Sequence, residues 1–198
     1  LFVLGRETEL CFTELETVLS VVDPAATIQT LSTDVALVQF TPNVAVGEVG
    51  QGQIDAAWWI GRLGGTRLIA RVMRTLMVIT AESIYELLPE TVRELAISSP
   101  ILSAPTRMKL LLQLKKLRPG LRYRPVSDAY LASGLSERLI RRDDGIELLI
   151  IKPEKASKVG PASPAVRHSL SSEVQNPWIL DQVVAVQDTR AWTERDMG

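Results

Sequence analysis

The first 76 residues switch repeatedly between two apolar periods, and this switching constrains the fold more than any other feature of the chain. Residues 1–4 form a short apolar run ended by Gly5, as a strand would. From Cys11 onward Phe12, Leu15, Val18, Leu19 and Val22 recur at helical spacing until Pro24 stops them. Glu14 lies three residues after Cys11, where a capping box would put a carboxylate. Residues 27–32 and 35–40 are β-rich runs around Thr33-Asp34, a hairpin pattern. Residues 54–63 return to helical apolar spacing, Gly64-Gly65 ends them, and residues 66–75 read as a strand. The order is β-α-β-β-α-β, a ferredoxin-like unit.

A second series follows. Residues 81–95 read as helical, with Ile84, Leu87, Leu88 and Val92 near one face and Pro89 as an interruption. Residues 96–102 are a weak strand containing Pro100, and residues 107–117 a helix ended by Pro119-Gly120. Residues 121–126 form a strand, and residues 128–140 a helix with Asp128 at its N-cap. Asp143-Asp144-Gly145 is a turn before a buried-type strand at 146–151. Residues 152–166 read as a long loop, and 167–174 and 178–186 as two more strands. The expected class is therefore α+β, with residues 1–78 and 79–187 as separate packed units.

Composition excludes several classes. With 198 residues, the chain suits one large or two small domains. No apolar run reaches the ~18 residues that span a bilayer, so no membrane partner is expected. A single cysteine, Cys11, forms no internal disulfide, which makes the cytoplasm the default compartment. Cys11 and His168 are the only residues of their kinds, too few for a Cys/His metal centre or a convincing nucleophile–base pair. At the head of a helix Cys11 is either a thiol of lowered pKa or a small buried apolar residue. Residues 47–52, Gly-Glu-Val-Gly-Gln-Gly, faintly resemble a phosphate or cofactor loop but do not directly follow a strand, so a surface connection fits better. Asn176-Pro177-Trp178 partly echoes an amine-binding motif of methyltransferases, or is a turn. Asp143-Asp144 is a carboxylate pair or a hairpin-type turn. Trp58 and Trp59 point to different sides of one helix, one into the core and one to an edge.

Charge is segregated. Residues 107–142 hold ten basic residues, Arg107, Lys109, Lys115, Lys116, Arg118, Arg122, Arg124, Arg138, Arg141 and Arg142, against Asp128 and Glu137. This window carries +8, while the whole chain carries −1. A local polyanion site and a set of solvated helix faces both account for such a block. Lys109, Gln113 and Lys116 share a helix face opposite Leu110, Leu111, Leu114 and Leu117. Arg122 and Arg124 share a strand face, and Arg138, Arg141 and Arg142 cluster at a helix end, where they also offset the helix dipole.

Three stretches carry a resemblance. Leu1-Phe2-Val3-Leu4-Gly5 followed by Glu9-Leu10-Cys11-Phe12-Thr13-Glu14-Leu15 is similar to an opening strand and helix start, with Cys11 in place of a usual Ser. Arg62-Leu63-Gly64-Gly65-Thr66 resembles an "R-L-G-G-T" motif. There a Lys usually follows two positions after the Thr; here Leu68 holds that place beside Arg67. Val186-Gln187-Asp188, then Trp192 and Arg195-Asp196, resembles the lead-in to a catalytic domain. Together they resemble the N-terminal region of the tRNA guanine-10 N2-methyltransferase family. The resemblance implies a ferredoxin-like domain at 1–78, a THUMP-like α/β domain at 79–187 that grips tRNA, and a linker at 188–198 to a methyltransferase domain beyond this chain. It assigns the ten basic residues to RNA contact. It implies no catalytic residue, metal or cofactor in this chain, with S-adenosylmethionine and the guanine N2 transfer belonging to the missing domain. The alternatives are the RNA-binding half of another THUMP-containing tRNA-modifying enzyme, or a protein-interaction module without an RNA role.

Overall fold

A computed structural model describes residues 1–41, 55–153 and 177–187. Strand β1 (Phe2–Leu4) is buried along its length and leads into α1 (Thr8–Val22), which buries Cys11, Leu15 and Leu19. The hairpin β2 (Thr27–Ser32) and β3 (Val35–Gln39) follows. Next come α2 (Ala56–Arg62), whose first turn Asp55 caps by accepting from Trp58 N, and β4 (Thr66–Leu76). Helix α3 (Ala81–Tyr85) opens on a capping box between Thr80 and Ser83. Strand β5 (Glu94–Ser98), α4 (Ala104–Leu117), β6 (Arg122–Arg124), α5 (Ser133–Ile140), β7 (Gly145–Ile151) and β8 (Trp178–Val186) complete the order.

All eight strands form one mixed sheet, ordered β2-β3-β1-β4-β8-β7-β5-β6. The fold is α+β. Neighbours in the half β2-β3-β1-β4 are antiparallel, whereas β5 runs parallel to both β6 and β7. Strand β8 joins the halves, pairing antiparallel with β4 from Leu68↔Val186 to Leu76↔Trp178 and with β7 from Leu148↔Gln182 to Ile151↔Ile179. The segments 1–78 and 79–187 thus supply four adjacent strands each, and the β4–β8 ladder joins them into one sheet.

Strand alternation divides the core into two layers. On one face, Phe2, Leu4 and Ile69 pack with Leu15, Trp59 and Leu63 of α1 and α2 and their junctions. On that same face Leu95, Ile97, Leu148 and Leu180 pack with Ile84 of α3 and Leu110, Leu111 and Leu114 of α4. The opposite face gathers Val3, Leu68, Leu149, Ile151 and Val183 from both halves into one cluster, against which Tyr130 and Ile140 pack. Each fully buried Leu in these layers contributes roughly 1.5–3 kcal/mol.

Several expectations are corrected. Helix α1 begins at Thr8 rather than Cys11, Glu7 makes no side-chain cap, and Glu14 does not serve a capping box. Helix α3 stops at Tyr85, because Pro89 cannot donate to a continuing ladder. The next strand starts at Glu94, two residues before the expected position, and ends ahead of Pro100. The last helix begins at Ser133, not Asp128, and its N-cap Ala132 makes no side-chain bond. The cause is Arg107, which ties the carbonyls of residues 126–128 and holds them out of a helix. The strand expected at 167–174 and most of the 152–166 loop lie outside the described residues.

Candidate nucleic-acid interface

The basic block assembles at the β6 end of the sheet and divides between its two faces. On one face lies α4. Ser103 caps it by accepting from Thr106 N, and Pro105 sits in its first turn. Lys109, Gln113 and Lys116 are exposed along one side, while Leu110, Leu111 and Leu114 are buried. Lys115 extends over the ring of Tyr123, 5.5 Å from its centroid. Arg118 donates to the carbonyls of Pro89 (2.9 Å) and Glu90, which ties the end of α4 to the segment after α3. Among the described residues, Lys109 and Lys116 have no ion-pair partner.

Arg107 departs from the expectation of phosphate contact. It is only 4% exposed. Its guanidinium donates to the carbonyls of Ser99 (2.9 Å), Leu102 (2.6 Å), Val126 (2.8 Å), Ser127 (3.3 Å) and Asp128 (2.5 Å). Burial lowers its pKa from the ordinary arginine value, and Asp128 opposes that shift. Arg107 is an internal staple between the loop before α4 and the loop before α5, out of reach of any polyanion.

The other face carries the arginines of β6 and α5. The register Glu94↔Arg122 and Ala96↔Arg124 points both arginines to the α5 side. Arg124, Arg138, Arg141 and Arg142, with Glu94, Leu135 and Leu139, line a concavity of about 350 Å³. Glu94 is buried and takes Arg124 Nε on one oxygen and Arg142 Nη1 (2.7 Å) on the other. Arg142 also binds Asp144 through Nε (2.9 Å) and Nη2 (3.0 Å). This fork raises the Arg142 pKa and holds the Asp144 carboxyl below its ordinary value. Arg141 pairs with Glu137 at 2.5 Å, an i,i+4 contact on the exposed side of α5.

Folding therefore tempers the positive block. Glu94 and Asp144 both lie outside residues 107–142 in sequence, yet both pair with its arginines. No periodicity or composition signal marks Glu94 as part of this site, because only the β5–β6 and β5–β7 ladders bring it there. Asp143-Asp144-Gly145 forms a turn as expected, but it joins α5 to β7 and is not a hairpin. Glycine is required there, since a Cβ on Gly145 would meet Leu139 O at 2.7 Å.

The described residues of the three stretches quoted above, which for the last are Val186 and Gln187, meet at the opposite half of the sheet. Glu14 accepts from both Gly64 N (2.8 Å) and Gly65 N (2.9 Å). Gly5 N donates to Gly65 O at 2.6 Å. Gln187 reaches back from β8, donating its amide to Gly64 O (3.0 Å) and Leu63 O (3.4 Å). Every backbone polar group of Gly64 and Gly65 is thus held by a residue from another part of the chain. Cys11 is buried against this turn, and a Cβ on Gly65 would lie 2.3 Å from its Sγ. Arg67 stacks over Tyr130, 5.1 Å from the ring centroid, and Tyr130 donates to Asp34 (3.2 Å). Trp59 is the buried member of the tryptophan pair; Trp58 is half-buried beneath the Arg62 guanidinium.

His168, Asn176, residues 47–52 and residues 188–198 lie outside the described residues. Among the described residues no three His, Cys, Asp or Glu side chains converge on a metal-sized site, and no helix is long and apolar enough to cross a membrane. Two buried carboxylates stand apart. Glu147 accepts from Ser98, and burial raises its pKa above the ordinary range. The carboxyl of Asp181 is fully buried with no hydrogen-bond partner among the described residues, and burial pushes its pKa up to about 8.

Comparison with known proteins returns no match: no protein-family model, no curated protein and no solved structure is similar to this chain.

Proposed function

We propose that this chain is the RNA-binding N-terminal region of a tRNA-modifying enzyme, and specifically of a cytoplasmic S-adenosylmethionine-dependent tRNA guanine N2-methyltransferase. The observation that carries the reading is the gathering of basic side chains from α4, β6 and α5 around the β6 end of the sheet. Lys109 and Lys116 leave their charge uncompensated on one face, and the arginine-lined concavity occupies the other. Phosphate recognition needs such an array, because each neutralised phosphate releases condensed counterions. The strand order β2-β3-β1-β4 with antiparallel neighbours agrees with a ferredoxin-like first unit. The second half would then be the THUMP-like unit. S-adenosylmethionine and the methyl transfer are assigned to a further domain, so this chain alone should show no heat of binding when titrated with that cofactor.

Filter binding of a tRNA transcript at two salt concentrations tests the reading. Lys109→Glu with Lys116→Glu should weaken binding and flatten its salt dependence, by about 0.7–0.9 in log–log slope for each phosphate no longer neutralised. Arg6→Glu with Arg74→Glu, exposed positions in the other half of the sheet, should change it little. Equal weakening by both pairs, or binding indifferent to salt, would refute an RNA role for the block and favour plain surface solvation.

A further inference from the structure

Glu94 is an unusual residue for the wall of a polyanion site. A carboxylate there repels phosphate, yet this one is 5% exposed and its oxygens are spent on two different arginines. The side chains of Arg124 and Arg142 are themselves 50% and 47% exposed. Nε of Arg124 is committed to Glu94, while its terminal Nη groups have no partner among the described residues. Arg142 is fixed from three directions, by Glu94 on Nη1 and by the two oxygens of Asp144. Half-exposed arginines normally sample many rotamers, and ordering them on binding costs entropy. Here that ordering precedes the ligand.

We infer that Glu94 is a positioning residue that preassembles the Arg124 and Arg142 guanidiniums into a seat for an RNA phosphate beside, not inside, the 350 Å³ concavity, whose own walls are mostly apolar. This rests on the RNA-binding reading and sharpens it. Arg124 supplies its free Nη donors in the fork geometry that matches a phosphate. Arg142 supplies the remaining hydrogens of Nη1 and Nη2, and Arg138 flanks the seat. The negative charge of Glu94 weakens the field of the cleft but is compensated by the fixed geometry of the two guanidiniums. Asp144 does the same for Arg142 alone.

The sign of one substitution decides the matter. If Glu94 merely neutralises charge, Glu94→Gln makes the cleft one unit more positive and tRNA binds more tightly. If Glu94 positions the arginines, Glu94→Gln weakens tRNA binding, by roughly tenfold for two side chains released to solvent, despite the more favourable charge. The measurement is fluorescence anisotropy of a labelled tRNA transcript at two salt concentrations, with thermal melts of each variant alongside. Arg124→Lys is the companion variant. It keeps the charge, removes the Nε anchor and the forked donors, and should weaken binding comparably even if Glu94→Gln fails to fold. In an Arg124→Met, Arg142→Met background, Glu94→Gln should no longer weaken binding, because the residue positions those arginines and only its charge effect, which is of opposite sign, remains. Wild-type binding with Glu94→Gln equal or tighter, or with Arg124→Lys unchanged, overturns this inference and leaves the RNA-binding reading intact. Absence of salt-dependent tRNA binding by the wild-type chain overturns both.

Discussion

Replacing Arg107 with Met removes the guanidinium while keeping most of its apolar stem, so the change isolates the staple from the packing. Five carbonyls are left without their donor. Ser127 and Asp128 are exposed, and water can replace the bonds to their carbonyls. The bonds to Ser99 O and Val126 O are buried, and each orphaned carbonyl costs about 1–3 kcal/mol. Relief of the guanidinium's own burial, which its lowered pKa records, offsets part of this. The expected destabilisation is about 3–4 kcal/mol, a drop in melting temperature of about 10 °C for a domain of this size. Urea denaturation followed by circular dichroism measures it. Hydrogen exchange should localise the loosening to Ser99 N, which bonds Ala129 O, and Leu131 N, which bonds Ser98. A change below about 1 kcal/mol, within the range of ordinary surface substitutions, would show that Arg107 is not a staple and return it to the candidate phosphate contacts.

Gly65→Ala should destabilise by about 1–3 kcal/mol, because its new Cβ would sit 2.3 Å from Cys11 Sγ and 2.8 Å from Cys11 Cβ. Cys11→Ala should restore only part of that stability, read from paired urea midpoints, since the Cβ clash remains; full restoration would place the clash on the sulfur alone. Asp181 makes stability fall as pH rises. Its folded pKa of about 8 exceeds the ordinary 3.8, so between those values the folded chain holds a proton the unfolded chain has released. Glu147, also raised by burial, acts in the same direction. Asp181→Asn should flatten the decline seen in urea midpoints between about pH 5 and about pH 8; an unchanged slope would remove Asp181 from the account.

The legible part of this protein is local. Apolar period alone places β1, α1, the β2–β3 hairpin, α2, β4, α4, β7 and β8 near their observed bounds, because burying one face of each element imposes that period on its own residues. Clear stop signals worked for the same reason: Pro24 and Gly64-Gly65 act through their own backbones. The helix expected at Asp128 failed because its outcome is set at a distance, by Arg107 holding the carbonyls of 126–128. Glu14 has the spacing of a cap, yet it serves two amides about fifty residues away. The candidate interface shows the same division. Lys109 and Lys116 stand on one exposed face because helix geometry requires it. The arginines of β6 and α5 share a cleft only because β5 carries Glu94 between them, and a parallel ladder pairs residues whose separation no local pattern encodes. Net charge in a sequence window counts ions, whereas the field of a surface depends on which of them the tertiary fold pairs or buries.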